Sequence, residues 1–108
     1  MYKKFHNHLL KDNRGYLQKN LLIDIKKKTG FKIIESFFSY FSKPNVIRGI
    51  YMQTGKSMEA KLITLIEGKL TWVIVDMKKN SKNFLKNHMI KIKKFETVYI
   101  PEGYAHGA

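Results

Sequence analysis

The sequence predicts an all-β domain, a sandwich or a barrel, on two observations. Turn-forming residues punctuate the whole chain, at Asp12-Asn13-Arg14-Gly15, Lys28-Thr29-Gly30, Lys43-Pro44-Asn45, Thr54-Gly55-Lys56, Glu67-Gly68-Lys69, Lys79-Asn80-Ser81 and Pro101-Glu102-Gly103. Between them lie short segments rich in β-branched and aromatic residues: 31–41, 46–52, 61–66, 70–76, 88–92 and 97–100. Short β-rich segments separated by frequent turns belong to sandwiches and barrels rather than to alternating strands and helices.

Residues 16–28 have room for one or two helical turns, but Asp24 and the lysines leave no clean apolar stripe. Over 48–53 an extended backbone puts Gly49, Tyr51 and Gln53 on one face and Ile50 and Met52 on the other. The Tyr–Gln face either lines a polar pocket or meets water. Segments 61–66 and 70–76 flank Glu67-Gly68-Lys69 and read as a β-hairpin. His88 to Lys93 alternates with period two, with Ile90 and Ile92 on one face and Lys91 and Lys93 on the other. Trp72 is most simply a core or interface residue. Tyr104-Ala105-His106-Gly107-Ala108 follows the 97–100 strand and is expected to leave an unpaired edge, covered by a partner subunit or belonging to a longer fold.

Composition narrows the function. A chain of 108 residues is the size of one domain, and 44% hydrophobic content excludes wholesale disorder. With no Cys, a disulfide-stapled fold and a thiolate-ligated zinc or iron–sulfur centre are excluded. The longest apolar runs fall far short of the ~20 residues of a membrane span, and Leu9-Leu10 is too short for a secretory apolar stretch. A cytoplasmic protein without membrane partners is the expectation. The net charge of +13 favours anionic ligands, but Lys26-Lys27-Lys28 is the one run of three basic residues. Such dispersion argues against a dedicated nucleic-acid surface. His6 and His8 lie on one side of an extended segment without a third ligand nearby, so no metal site is expected. His106 sits between Ala105 and Gly107, small neighbours that let a backbone approach a ligand or simply form a surface turn.

Several stretches occur together in one order: Asp12-Asn13-Arg14-Gly15, Val46-Ile47-Arg48-Gly49-Ile50-Tyr51-Met52-Gln53, Lys61-Leu62-Ile63, Gly68 through Val75-Asp76-Met77-Lys78, and Ile100-Pro101-Glu102-Gly103-Tyr104-Ala105-His106-Gly107. Together they resemble the dTDP-4-dehydrorhamnose 3,5-epimerase family, whose patterns are D-x-R-G, V-x-R-G-[LM]-H-[FY]-Q, K-L-V, G-x-x-x-D-V-x-V-D-x-R and I-P-x-G-[FY]-A-H-G-F. The resemblance covers about residues 12–107. It implies a single cupin-like β jelly roll over 1–108, truncated at its C-terminal side, with 1–11 as a flexible or swapped arm. It further implies a homodimer, no metal or organic cofactor, and a nucleoside-diphosphate 4-keto-6-deoxy sugar as ligand.

Carried over position by position, Arg14 and Arg48 match arginines that approach the phosphates and the sugar, and Gln53 matches the glutamine after the His-aromatic pair. Lys61 matches the lysine near the keto oxygen, and His106 the histidine of A-H-G. The catalytic positions depart from the pattern. Tyr51 stands where the family has its basic histidine, and a phenol that ordinarily titrates near pH ~10 is a poor base at neutral pH. Met52 replaces the next aromatic, Trp72 the first aspartate of D-V-x-V-D, and Leu17 and Lys19 the aromatic and glutamate after R-G. The family's acid tyrosine and orienting aspartate fall beyond residue 108. The expectation is therefore an epimerase-like protein of nucleotide-sugar biosynthesis with degenerate catalysis. If active, it is a cofactor-independent isomerase using Lys61 as electrophile and Tyr51 for proton transfer. The alternative is a non-catalytic nucleotide-sugar-binding or assembly module; a nucleic-acid binder is less favoured.

Overall fold

The computed structural model describes residues 2–19, 22–33 and 35–108. Among the described residues the strands are β1 (Lys3–His6), β2 (His8–Asp12), β3 (Gly15–Lys19), β4 (Gly49–Tyr51), β5 (Lys61–Thr64), β6 (Leu70–Asp76), β7 (Asn87–Ile92), β8 (Glu96–Ile100) and β9 (Tyr104–Gly107), with an α-helix, α1 (Leu22–Thr29), and a short 3-10 turn at Gly55–Ser57. They form a sheet of order β1-β8-β5, a hairpin β2-β3, and a sheet of order β4-β9-β6-β7. Every pairing is antiparallel.

The period-two pattern does what it predicts. Ile74 on β6 lies in the core with Ile90 and Ile92 of β7, and with Val98 and Ile100 of β8 from the facing sheet. Ile63, Leu65, Leu70 and Trp72 pack against this cluster. Ile74 and Val98 are fully buried, so the two inner faces meet without solvent between them.

Four expectations change. Segments 61–66 and 70–76 do not form a hairpin: β5 pairs with β8, and β6 with β7 and β9. The Leu65 amide donates to the Glu96 carbonyl and the Leu65 carbonyl accepts from the Phe95 amide, so the chain stays on the first sheet past β5. It then crosses through Gly68, whose φ of +88° suits glycine. Crossing lets Ile63 and Leu65 from one sheet and Leu70 and Trp72 from the other pack against the same buried cluster, burying apolar surface that an edge-to-edge hairpin would leave in one layer. Next, the described residues of 31–41 form no strand. Phe37, Phe38 and Tyr40 are exposed, and β-propensity without a neighbouring strand to pack on does not make a strand. Third, residues 16–19 belong to β3, and the two helical turns start at Leu22. Fourth, β9 is not an edge: it lies between β4 and β6 and is paired on both sides.

The first strand, inside the stretch expected as an arm, runs along β8 of its own chain and is tied there by a polar cluster. Glu96 accepts a hydrogen bond from the Lys93 amide at 2.8 Å and pairs with Lys4 Nζ at 3.2 Å and His6 Nδ1 at 3.3 Å. Asn7 donates to the Phe95 carbonyl at 2.9 Å and to Thr97 Oγ1 at 2.7 Å. Burial opposes ionisation of Glu96, but the Lys93 amide, Lys4 and His6 outweigh it and hold the carboxyl below its ordinary value of 4.5. A depressed carboxyl stabilises the fold above its unfolded value and loses that contribution as pH falls through the folded one. We expect amide-exchange protection of residues 3–6 to fall as the pH drops below 4.5, the ordinary value of the Glu96 carboxyl. In Glu96→Gln the same residues should be less protected at neutral pH and show no step there. Among the described residues no helix is long and apolar enough to cross a membrane.

Candidate functional site

A cavity of about 350 Å³ opens at one end of the two sheets. Tyr51, Met52 and Gln53 line it from the end of β4 onward, and Glu59 and Lys61 from the start of β5. Ile100 and Pro101 close the end of β8, and Gly103, Tyr104 and His106 come from β9 and the turn before it. Strand register explains the convergence. Lys61 lies opposite Ile100, His106 opposite both Tyr51 and Ile74, and Tyr104 opposite Asp76. Cross-strand partners share a face, and alternation places Tyr104 and His106 on the same side of β9.

Close approach of β4 and β9 depends on glycine. A Cβ on Gly49 would lie 2.8 Å from the His106 carbonyl oxygen and 2.9 Å from Gly107 Cα, and one on Gly107 would lie 2.7 Å from the Arg48 carbonyl oxygen. Reciprocal amide bonds between Arg48 and Ala108, at 2.8 and 2.9 Å, extend this pairing.

The electrostatics centre on His106. The residue is 8% exposed and its ring stacks on Trp72, with centroids 5.4 Å apart and planes 16° from parallel. His106 Nδ1 and Trp72 Nε1 are both buried without a hydrogen-bond partner. Burial first, and then the Lys61 charge, push the imidazole below its ordinary value of 6.5, with Glu59 pulling the other way. Burial and the Lys61 charge thus both favour the neutral imidazole. Lys61 Nζ is 3.6 Å from Glu59 Oε1, leaving a cation with a loosely held counter-ion at the cavity wall.

A second cation sits at the rim. Lys78 Nζ lies 3.4 Å from the Tyr104 hydroxyl and 4.6 Å from the centre of its ring. The turn that carries it is organised by buried Asp76, which accepts from Ser81 Oγ at 2.6 Å and from the Lys78 amide at 2.9 Å. Burial disfavours the Asp76 carboxylate, yet the Ser81 hydroxyl, the Lys78 amide and the Lys78 charge hold it below the usual range.

Of the residues singled out from sequence, Tyr51, Gln53, Lys61 and His106 come together in the cavity. Arg14 and Arg48 are not among its lining residues. Arg14 is exposed at the β2–β3 turn and pairs with Asp12 at 2.6 Å. Arg48 donates to Ser39 Oγ and, at 2.6 Å, to the Tyr40 carbonyl, and its guanidinium lies 4.1 Å over the Phe41 ring. His6 is engaged with Glu96, and among the described residues no group of three or more His, Cys, Asp or Glu side chains converges on a metal-sized site. Sequence reasoning missed Glu59, Tyr104 and Lys78. Period two from Lys61 and His106 points to Glu59 and Tyr104; nothing local points to Lys78, which reaches the site through a turn.

Two antiparallel sheets closing over a cavity lined from their inner faces define a cupin-type β jelly roll. Residues 2–108 match the profile of the dTDP-4-dehydrorhamnose 3,5-epimerase family, and the chain belongs to that family. The dTDP-4-dehydrorhamnose 3,5-epimerase of Salmonella typhimurium is 35% identical over 68 residues, which are 61% of this chain and 37% of that protein. That of Methanothermobacter thermautotrophicus is 30% identical over 100 residues, 89% of this chain and 53% of that protein. The crystal structure of the Bacillus anthracis enzyme with TDP and PPi bound matches with a TM-score of 0.82 at 27% identity, over 98% of this chain and 63% of that one. The chain spans about half, or less, of the length of the two curated relatives.

Proposed function

We propose that the cavity binds a nucleoside-diphosphate 4-keto-6-deoxy sugar and that the chain is an epimerase-like protein of nucleotide-sugar biosynthesis with weakened, cofactor-independent proton transfer. The observation that carries this is the meeting of Lys61, His106 and Tyr51 in one cavity. A 4-keto group acidifies the hydrogens on C3 and C5. Removing one needs an unprotonated base within reach, and the enolate that forms needs a cation at its oxygen. Lys61 supplies the cation; His106 and Tyr51 are the groups able to move protons, and Gln53 hydrogen-bonds the sugar. The diphosphate suits a chain of net charge +13, with Arg14 and Arg48 as its partners once they leave their present contacts. The TDP and PPi held by the Bacillus anthracis relative support this ligand class. The reading takes the protein as a cytoplasmic homodimer in which the second copy covers exposed Phe37, Phe38 and Tyr40.

Proton NMR of the protein with a nucleoside-diphosphate 4-keto-6-deoxy sugar in deuterium oxide tests the reading. We expect gradual loss of the C3 or C5 proton signal. The second reading, a binding module without chemistry, is favoured by Tyr51 and Trp72 at positions where the family pattern has His and Asp. It would give broadened ligand lines and no exchange.

A further inference from the structure

We infer that His106 rather than Tyr51 is the group that takes the proton in this cavity, with Trp72 as its positioning residue. The inference rests on the enolising activity proposed above and assigns its base.

The two candidates differ in environment. Tyr51 is 60% exposed and His106 8%, so the phenol is solvated while the imidazole lies against the cavity wall. Register sets them opposite each other across β4 and β9, so either reaches the same ligand. His106 is the one histidine among the lining residues; His6 contacts Glu96 and His88 packs edge-on against Tyr2. Trp72 lies against the His106 ring. The family pattern carries Asp there, beside the imidazole, and a carboxylate so placed favours imidazolium. Here an indole covers the ring face instead and leaves Nδ1 without a hydrogen bond. The titratable groups facing His106 are Tyr51 at the end of β4, Glu59 and Lys61 at the start of β5, and Tyr104 on β9 itself; β6 brings Trp72 against the ring and Asp76 two residues beyond Ile74, the cross-strand partner of His106. Burial and the Lys61 charge both favour a free base.

The step balances without an added reactant. A His106 nitrogen takes the proton from C3 or C5 as that C–H bond breaks. Its electron pair becomes the C=C bond, and the carbonyl π pair moves to oxygen opposite Lys61 Nζ. The imidazolium trades its proton with water and returns one to the same carbon, restoring the ketone. A lone base returns the proton to the face it left, so deuterium enters faster than configuration inverts. Inversion requires a second donor across the sugar.

The test follows deuterium incorporation into a nucleoside-diphosphate 4-keto-6-deoxy sugar against pH for the full chain and its variants. We expect His106→Gln to lose at least ~100-fold in exchange and Tyr51→Phe at most about tenfold, with sheet content checked by circular dichroism. The wild-type rate, which needs no variant to fold, should break below pH 6.5 and stay level above it, because His106 titrates below that value. Trp72→Asp should move the break to higher pH, since the new carboxylate favours imidazolium; an unmoved break overturns the role of Trp72. Exchange that survives His106→Gln in folded protein, or a wild-type rate still climbing above about pH 9 as a phenol base requires, overturns the inference while the proposed activity stands. Ligand broadening with no wild-type exchange at any pH overturns both.

Discussion

Replacing Lys61 with methionine is expected to slow deuterium entry into the keto sugar about 100- to 1000-fold, the usual cost of removing one group that stabilises a developing oxyanion. Methionine keeps the length and apolar stem of the side chain and removes the charge. Because Lys61 lies opposite Ile100 in the β5–β8 ladder with its side chain in the cavity wall, the ladder itself survives. The same substitution has a second consequence with a defined sign. The Lys61 charge helps to push His106 down, so its loss lets the imidazole titrate at higher pH. Histidine NMR resolves that shift separately from the exchange rate. A Lys61→Met protein that exchanges like wild type removes Lys61 from the chemistry, and one with an unmoved His106 titration separates the two side chains.

Gly49→Ala should destabilise the fold by about 2–5 kcal/mol from left-handed backbone strain and overpacking together. Gly49 has φ +101°, and its added Cβ meets two backbone atoms, the His106 carbonyl oxygen at 2.8 Å and Gly107 Cα at 2.9 Å. Backbone cannot swing aside as a flexible side chain does, so β4 has to move away from β9. That takes Tyr51 away from His106 and opens one wall of the cavity. Thermal unfolding should shift down by roughly 10–25 °C, and residual folded protein should lose ligand broadening. A melting temperature within a few degrees of wild type would mean that β4 does not seat on β9 as described.

Much of the cavity was legible before any coordinates. Lys61, Gln53 and His106 carry over from the family resemblance, and period two puts Tyr51 and Gln53 on a common face. Glu59 and Tyr104 were within reach of the same rule, two residues from Lys61 and His106. The arginines show where that reasoning stops. Arg48 stands in the best-matched motif, yet its guanidinium is taken up by Ser39, the Tyr40 carbonyl and the Phe41 ring from a segment that no periodicity places. Side-chain partners of a long cation are set by whatever packs above it.

The sequence by itself determined the all-β class, the inward face of β7, the family, and the absence of thiol chemistry. Each of these follows from residue type, short-range alternation or motif order, which are local. Only the tertiary structure decided that 61–66 and 70–76 lie in different sheets, that β9 runs between β4 and β6, and that Trp72 stacks on His106. A hydrophobic pattern says which face of a strand is buried but not which strand lies beside it or across from it. That choice is made by packing two whole inner faces together, and Ile74, Val98 and Ile100 become a core only when residues far apart in the chain exclude water jointly.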